Sequence, residues 1–519
     1  MTERTSRSAQ FALNAGASYL RFGVNMVIML ALTPFMVGRL GAQDFGLWSL
    51  VFAVLGFVAL MDCGFATSTV KYVAECRGAG DFERRNRMVS TLAIVYLGLG
   101  LVGALCIALL AAFFNRVFAI PAEQHARALA ILWILGFRNV ILALPLGLFQ
   151  GVLFGDQKIW VVNIIQIVGN ALYAVLTVLT LSAGGGVVAL AWANLAAMLA
   201  EYAAYVVLAF LLVPCLRVSP RLADRSLLGE MTSFSLSQLV VNVAALVRLR
   251  TDPVILKLFL PLSAVAAYTV ALRIAEAVYL LTKQGVNAMS PVVAMLKGEG
   301  DEQKIRFVLL NAAKFAFVGA CLPAAAAASF SRDLLTLWVG PAYAWAAPTM
   351  ALLVTAMWLS VPQMVAAIVL VMGGHHAFSA RAQVVGMVLN VGFSLLLVRP
   401  FGMAGVAAGT LLATIIGDLL YATGYACRVH SVTGPQYLRR VVAPGMAAAV
   451  VQVGVSLALR AVWPPHRLWE VALLALPGMG AALAVLWLGF TDPSEKNLVL
   501  ARMLRRRGAV VEPQPAPEG

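Results

Sequence analysis

About fourteen stretches of roughly 20 apolar residues, each enough for an α-helix to cross about 30 Å of hydrocarbon, leave this chain of 519 residues few ways to fold. In lipid every backbone N–H and C=O must find an internal partner, so such runs span the membrane as helices. The expected spans are 12–37, 47–75, 89–114, 124–153, 158–182, 186–213, 233–258, 263–293, 304–330, 346–373, 378–398, 402–427, 439–462 and 468–490. Composition agrees, with 61% hydrophobic residues, 12% charged residues and a mean hydropathy of +0.89. That is too little polar surface to cover a soluble particle of this size.

The chain is also duplicated. The loop Arg77-Gly78-Ala79-Gly80-Asp81 returns 220 positions later as Lys297-Gly298-Glu299-Gly300-Asp301, each copy after two apolar stretches. The same offset carries Asn170 onto Asn390, and a nearly equal one carries Gly186 onto Gly405. Transporters built from such repeats keep their substrate site between them. The fold expected is an all-α polytopic membrane protein of about 14 transmembrane helices, with two parallel six-helix repeats forming N- and C-lobes plus two appended C-terminal helices. The domains expected are 1–230 (helices 1–6), 231–432 (helices 7–12), 433–492 (helices 13–14) and a basic, disordered cytosolic tail, 493–519.

Basic residues set the orientation. With the N-terminus cytosolic, Lys and Arg favour the side of the termini by about three to one, which puts both termini inside and makes the span count even. The formal charge of +15 then lies largely beside an anionic leaflet, and no nucleic-acid module accompanies it. The first apolar stretch is long enough to remain as a span, so no signal peptide is expected. The six cysteines fall within spans or near the cytosolic side, which argues against disulfides.

Seven cations lie well inside expected spans: Arg21, Arg138, Arg248, Arg250, Arg273, Lys283 and Lys314. Each costs about 2.5 to 3.5 kcal/mol on insertion scales, so they are expected to face protein or water. The embedded acids are Asp62, Glu201, Asp252, Glu276 and Asp418. Asn14, Ser18, Arg21 and Asn25 share one face of the first span. Ser235, Gln238 and Asn242 repeat that register in the seventh, with Arg250 nearer the stripe than Arg248. Arg273, Glu276 and Lys283 share a face of the eighth span. Arg138 and Asn139 sit near the middle of the fourth, and Asn163, Gln166 and Asn170 align on the fifth.

Structural explanations compete for each group. Lys314 and Lys283 can snorkel to the interface, Arg273 with Glu276 and Arg248 with Asp252 can pair at helical spacing, and the amides can be helix-packing contacts, the preferred reading for the fifth span. Arg21 has no acid at helical spacing and is expected to line a hydrated cavity. An excess of guanidinium groups suits an anion, since Arg grips phosphate oxygens in bidentate fashion, and a pyrophosphate-linked lipid would fit with its sugar against the amides. No phosphate loop or metal-binding His/Cys cluster is present, so neither cofactor nor metal is expected. The loops are too short for a membrane glycosyltransferase or polymerase.

The runs Gly41-Ala-Gln-Asp-Phe-Gly-Leu-Trp48, Asp62-Cys-Gly64 and Lys71-Tyr-Val-Ala-Glu-Cys-Arg-Gly-Ala-Gly-Asp81 resemble the N-terminal signature of polysaccharide transporters, the Wzx-type flippases of the multidrug/oligosaccharidyl-lipid/polysaccharide (MOP) exporter superfamily. Arg250-Thr-Asp252, Tyr268-Thr-Val-Ala-Leu-Arg273 and Ser290-Pro291 are similar to that family's seventh and eighth helices, and the resemblance covers roughly residues 10–430. It implies two lobes around a V-shaped cavity, alternating access between cytosol and periplasm, and an undecaprenyl-diphosphate-linked oligosaccharide as substrate. Arg21, Arg250 and Arg273 occupy matching helices.

The expected function is therefore that of a non-enzymatic flippase in the bacterial inner membrane, in contact with membrane lipids. The substrate-binding candidates are Arg21, Asn25, Arg138, Arg250, Arg273 and Lys283; Asp62, Glu276 and Asp252 are candidates for coupling or charge balance, with H+ or Na+ as the coupling ion. Polymerases and glycosyltransferases are candidate partners. The alternatives are a lipid II flippase of the MurJ type and a cation-coupled multidrug antiporter of the same superfamily, the latter predicting an acid-dominated cavity.

Overall fold

The computed structural model describes residues 2–493, 495 and 496, and among them every regular element is helical. Nearly all of the expected tail, and the side chains of Ser235 and Gln238 in the seventh-span stripe, lie outside the described residues. Eleven helices among the described residues are long and apolar enough to cross a membrane. Two of them, Gly16–Asp62 and His376–Val429, contain a non-helical glycine, Gly41 with φ 72° and Gly402 with φ 56°. Only a residue without Cβ adopts such angles freely, so one apolar stretch can turn into two crossings there. Leu228–Phe259 is a further helix of 32 residues. The set is compatible with the fourteen expected spans.

The duplication holds at the level of backbone angles. Gly80 and Gly300 both have φ 70°, ending one helix in the left-handed region. The aspartate after each caps the next helix: Asp81 Oδ1 accepts from the Arg84 N–H at 2.8 Å, and Asp301 Oδ1 from the Lys304 N–H at 2.9 Å. Hydrogen bonds from the Lys304 side chain and backbone hold the Asp301 carboxyl below the usual carboxylate range.

Three expected spans are interrupted, one of them, 346–373, at Ser360 between Ala347–Leu359 and Val361–Met372. The span 47–75 breaks at Cys63 and Gly64, with φ 50° and 82°, before Phe65–Ala79 begins. Asp62 is the reason the break is tolerated in apolar surroundings. Its carboxylate oxygens accept the freed Ala66 N–H at 3.1 and 3.2 Å, and one also accepts the Tyr96 hydroxyl at 2.7 Å. The span 263–293 likewise ends early, as Leu262–Asn287, and Ser290–Gly298 restarts with Pro291 near its N-terminus.

The first helix, Thr2–Val58, packs along Leu262–Asn287 and so joins the two halves. At Gly46 the approach is closest, since a Cβ there would lie 2.0 Å from the Leu262 carbonyl oxygen. Backbone cannot swing aside as a side chain can. Gly46→Ala is therefore expected to cost about 1 to 3 kcal/mol of overpacking, seen as a lower melting temperature in detergent; an unchanged melting curve would refute the close approach. The appended pair, Ala443–Val462 and Leu468–Gly489, packs together and against Ala313–Ser329 of the second half. Gly445 makes room there for the Phe317 ring, which stacks on Trp358 at 4.5 Å.

Candidate functional site

A cavity of about 400 Å³ lies between the halves. The first half contributes Asn25 and Met29 of the first helix, Trp48 and Phe52 beyond the Gly41 turn, Asn170 and Tyr173 of Ile159–Ser182, and Asn194 of Val187–Leu212. The second half contributes Arg250 and Pro253 of Leu228–Phe259, and Thr269, Arg273 and Glu276 of Leu262–Asn287. Of the six residues expected to bind substrate, Asn25, Arg250 and Arg273 line this cavity, while Arg21, Arg138 and Lys283 do not.

The guanidinium of Arg250 is exposed to the cavity and has no ion-pair or hydrogen-bond partner among the described residues. Its aliphatic stem lies over Gly56, where a Cβ would sit 3.2 Å from Arg250 Cγ. Arg273 donates to Glu276 Oε2 at 3.3 Å and approaches Met29 Sδ at 3.8 Å. That pair is half-exposed, single and long, so Glu276 offsets the charge of Arg273 without saturating its donors. The cavity thus holds two guanidinium groups against one carboxylate. No group of three His, Cys, Asp or Glu side chains able to hold a metal ion occurs among the described residues.

The polar stripe of the first span meets the stripe of the fifth. The Trp160 backbone N–H donates to Asn14 Oδ1 at 3.0 Å, Asn163 Nδ2 to Ser18 Oγ at 2.9 Å, Arg21 Nη1 to Gln166 Oε1, and Asn170 Nδ2 to Asn25 Oδ1 at 2.9 Å. This ladder is a packing seam between two helices that run in the same direction, and it occupies the face on which Arg21 was expected to meet water. Arg138 donates to its neighbour Asn139 at 2.7 Å within the π-helical stretch Arg138–Ala143. Lys283 is exposed, 5.8 Å from the Tyr279 ring centre.

Two expectations, one of a pairing and one of snorkelling, are corrected. Arg248 does not pair with Asp252; it makes a bidentate contact with buried Asp418 and donates to Thr414 Oγ1 at 3.1 Å. Asp252 instead accepts from the Tyr268 hydroxyl and from Thr410 Oγ1 at 3.2 Å, and Thr410 in turn accepts from Asn390 Nδ2 at 2.9 Å. Lys314 does not snorkel. It is buried, with Nζ 2.7 Å from both Glu495 oxygens and 3.1 Å from the Phe490 carbonyl. In each case the true partner is far away in sequence, where helical spacing carries no signal.

Residues 9–297 match the family described as "Polysaccharide biosynthesis protein", and residues 251–396 match the MatE family. The chain is similar to the uncharacterized membrane protein EpsK of Bacillus subtilis, 23% identical and covering 96% of this chain and 99% of that one. It is also 23% identical to the probable low-salt glycan biosynthesis flippase Agl15 of Haloferax volcanii, over 75% of this chain and 78% of that one. Among solved structures the lipid II flippase MurJ in an inward closed conformation shares the fold, with a TM-score of 0.72 at 13% identity over 95% of this chain and 100% of that one.

Proposed function

The chain belongs to the polysaccharide biosynthesis protein family, as a flippase of the MOP superfamily, and from that premise we propose that it carries an undecaprenyl-diphosphate-linked oligosaccharide across the bacterial inner membrane. The observation that carries this reading is Arg250, a cation without a counter-ion among the described residues, inside a cavity between two repeats. An unpaired guanidinium in a partly desolvated cleft favours an anion, and a diphosphate offers the oxygens for its planar fork. Arg273 stands as a second phosphate donor, with Glu276 limiting the net charge. Two guanidinium groups against one carboxylate also weigh against an organic cation as cargo.

In this proposal the halves, with boundaries near 230 and 432, rock against each other so that the cavity opens to one side at a time. Hydrogen bonds from Lys257 Nζ to the Ala119 carbonyl at 3.5 Å and from Trp338 Nε1 to the Leu30 carbonyl at 2.9 Å join the halves beside the turns that follow residues 118, 259 and 339, which supports closure on that side. Both termini are placed in the cytosol, and H+ or Na+ is the coupling ion, with Asp62 and Asp252 as its candidate carriers. Asp62 suits that part through its place at a helix break, and Asp252 through its buried carboxylate, one oxygen of which lacks a partner. Arg21 and Arg138 act from the scaffold of the first half, and polymerases or glycosyltransferases of the same route are the proposed partners.

Flipping in proteoliposomes, with a panel of polyprenyl-diphosphate-linked sugars, tests the proposal. Protein-dependent transfer of at least one such lipid is expected. Efflux of organic cations without any lipid transfer would overturn it in favour of an antiporter.

A further inference from the structure

The central cavity is electrically one-sided. Its three charged lining residues, Arg250, Arg273 and Glu276, all come from the second half, whereas the wall from the first half is neutral and carries amides and aromatic rings. Two of those amides satisfy each other, Asn170 donating to Asn25 at 2.9 Å. Asn194 is different. It is only 9% exposed, it lines the cavity, and its Oδ1 accepts no hydrogen bond among the described residues. The Tyr173 hydroxyl is a hydrogen-bond neighbour of Asn194 and Thr177, yet Asn194 Oδ1 itself meets no donor among the described residues.

A buried carbonyl oxygen without a donor is costly, and a ligand that supplies the donor recovers that cost. A diphosphate offers only acceptors, so it cannot be the group that meets Asn194 Oδ1. An ammonium could donate, but it would have to enter beside the unpaired Arg250. A sugar hydroxyl or an acetamido N–H is a neutral donor, and the rings of Trp48 and Phe52, 4.6 Å apart on the same wall, offer the apolar surface against which a sugar face rests.

We propose that Asn194 is a specificity-determining residue, accepting a hydrogen bond from a hydroxyl or acetamido N–H of the sugar next to the diphosphate, so that the substrate lies across the cavity with sugar on the first half and diphosphate on the second. The assignment rests on the flippase reading above and adds to it an orientation and a selectivity element. Sites that hydrogen-bond a substrate group discriminate strongly against analogues that lack it, because the polar group is then left unpaired.

The test is a ratio, so that any effect on the phosphate end, common to both lipids, divides out. Initial flipping rates are measured in proteoliposomes for polyprenyl diphosphate bearing an N-acetylhexosamine and for bare polyprenyl diphosphate. Wild type is expected to favour the glycosylated lipid. Asn194→Ala and Asn194→Leu, which both lack the acceptor, should each reduce that preference about tenfold, the equivalent of one lost hydrogen bond. Asn194→Asp keeps an acceptor in place and should retain the preference. Either apolar variant suffices, and melting curves identify a variant that fails to fold. A wild-type preference left intact in a folded alanine or leucine variant, or equal wild-type rates for the two lipids, would overturn the assignment. Transfer of neither lipid by wild type would instead remove the flippase reading beneath it, and the assignment with it.

Discussion

Replacing Arg250 with alanine is expected to abolish lipid flipping while leaving the protein folded and at least as stable as before. The guanidinium has no partner among the described residues, so its removal breaks no hydrogen bond or ion pair with them, and the stem lying over Gly56 is lost. Removing an unpaired cation from a membrane-embedded helix also lowers the cost of embedding it, about 2.5 to 3.5 kcal/mol on insertion scales. Substrate would lose a charge-assisted contact, each such hydrogen bond worth about 1.5 to 3 kcal/mol. That corresponds to roughly a hundredfold loss of transport at sub-saturating lipid. Arg250→Lys should keep part of the rate as a point charge without the planar fork. Arg273→Ala should lose less, because Glu276 already takes part of that charge. Initial rates at equal reconstitution, read beside melting temperatures, decide the matter. Wild-type flipping by the alanine variant would remove Arg250 from the site.

What the sequence made legible were the features that depend on neighbours along the chain. The loop at residues 77–81 and its copy at 297–301 could be matched because a left-handed glycine followed by a capping aspartate is a local device, complete within a few residues. Arg250 and Arg273 could be singled out because a cation in an apolar span needs a reason wherever it ends up. The break at Asp62 was visible only in part. Asp62-Cys63-Gly64 has the spacing of a cap four residues before Ala66, but continuous hydropathy through residue 75 concealed the interruption.

The seam between the first and fifth spans is an intermediate case. Ser18 with Asn163, Arg21 with Gln166 and Asn25 with Asn170 are each 145 positions apart, and a constant offset is what two helices crossing in the same direction produce. Both stripes could be read, but their registration required knowing that these helices are neighbours. Asn194 gave less warning still, as one amide in a long apolar span whose importance comes from the cavity beside it. Arg248 with Asp418 and Lys314 with Glu495 lie 170 and 181 positions apart, and nothing in periodicity can connect residues on different helices of a bundle.

That distant pairing makes the fate of Arg248 and Asp418 the second large effect. Asp418 is 3% exposed, and two nitrogens of Arg248 hold both of its oxygens. The pair lies beside Gly386, where a Cβ would stand 3.7 Å from Arg248 Nη1 and from Asp418 Oδ1, in ordinary contact. Asp418→Leu would strand a guanidinium against Thr414, and Arg248→Met would strand a carboxylate. Each single change is expected to cost about 3 to 5 kcal/mol, because an uncompensated buried charge remains. The double variant removes both charges and should recover most of that loss, a strongly non-additive cycle. Melting temperatures of the two singles and the double, in one detergent and at one pH, measure it. A double variant no more stable than the worse single would mean that the pair does more than neutralise itself. If the double variant is stable and still flips lipid, the pair is scaffold, and Arg250, two positions further along the same helix and turned toward the cavity, is the guanidinium of Leu228–Phe259 left for the substrate.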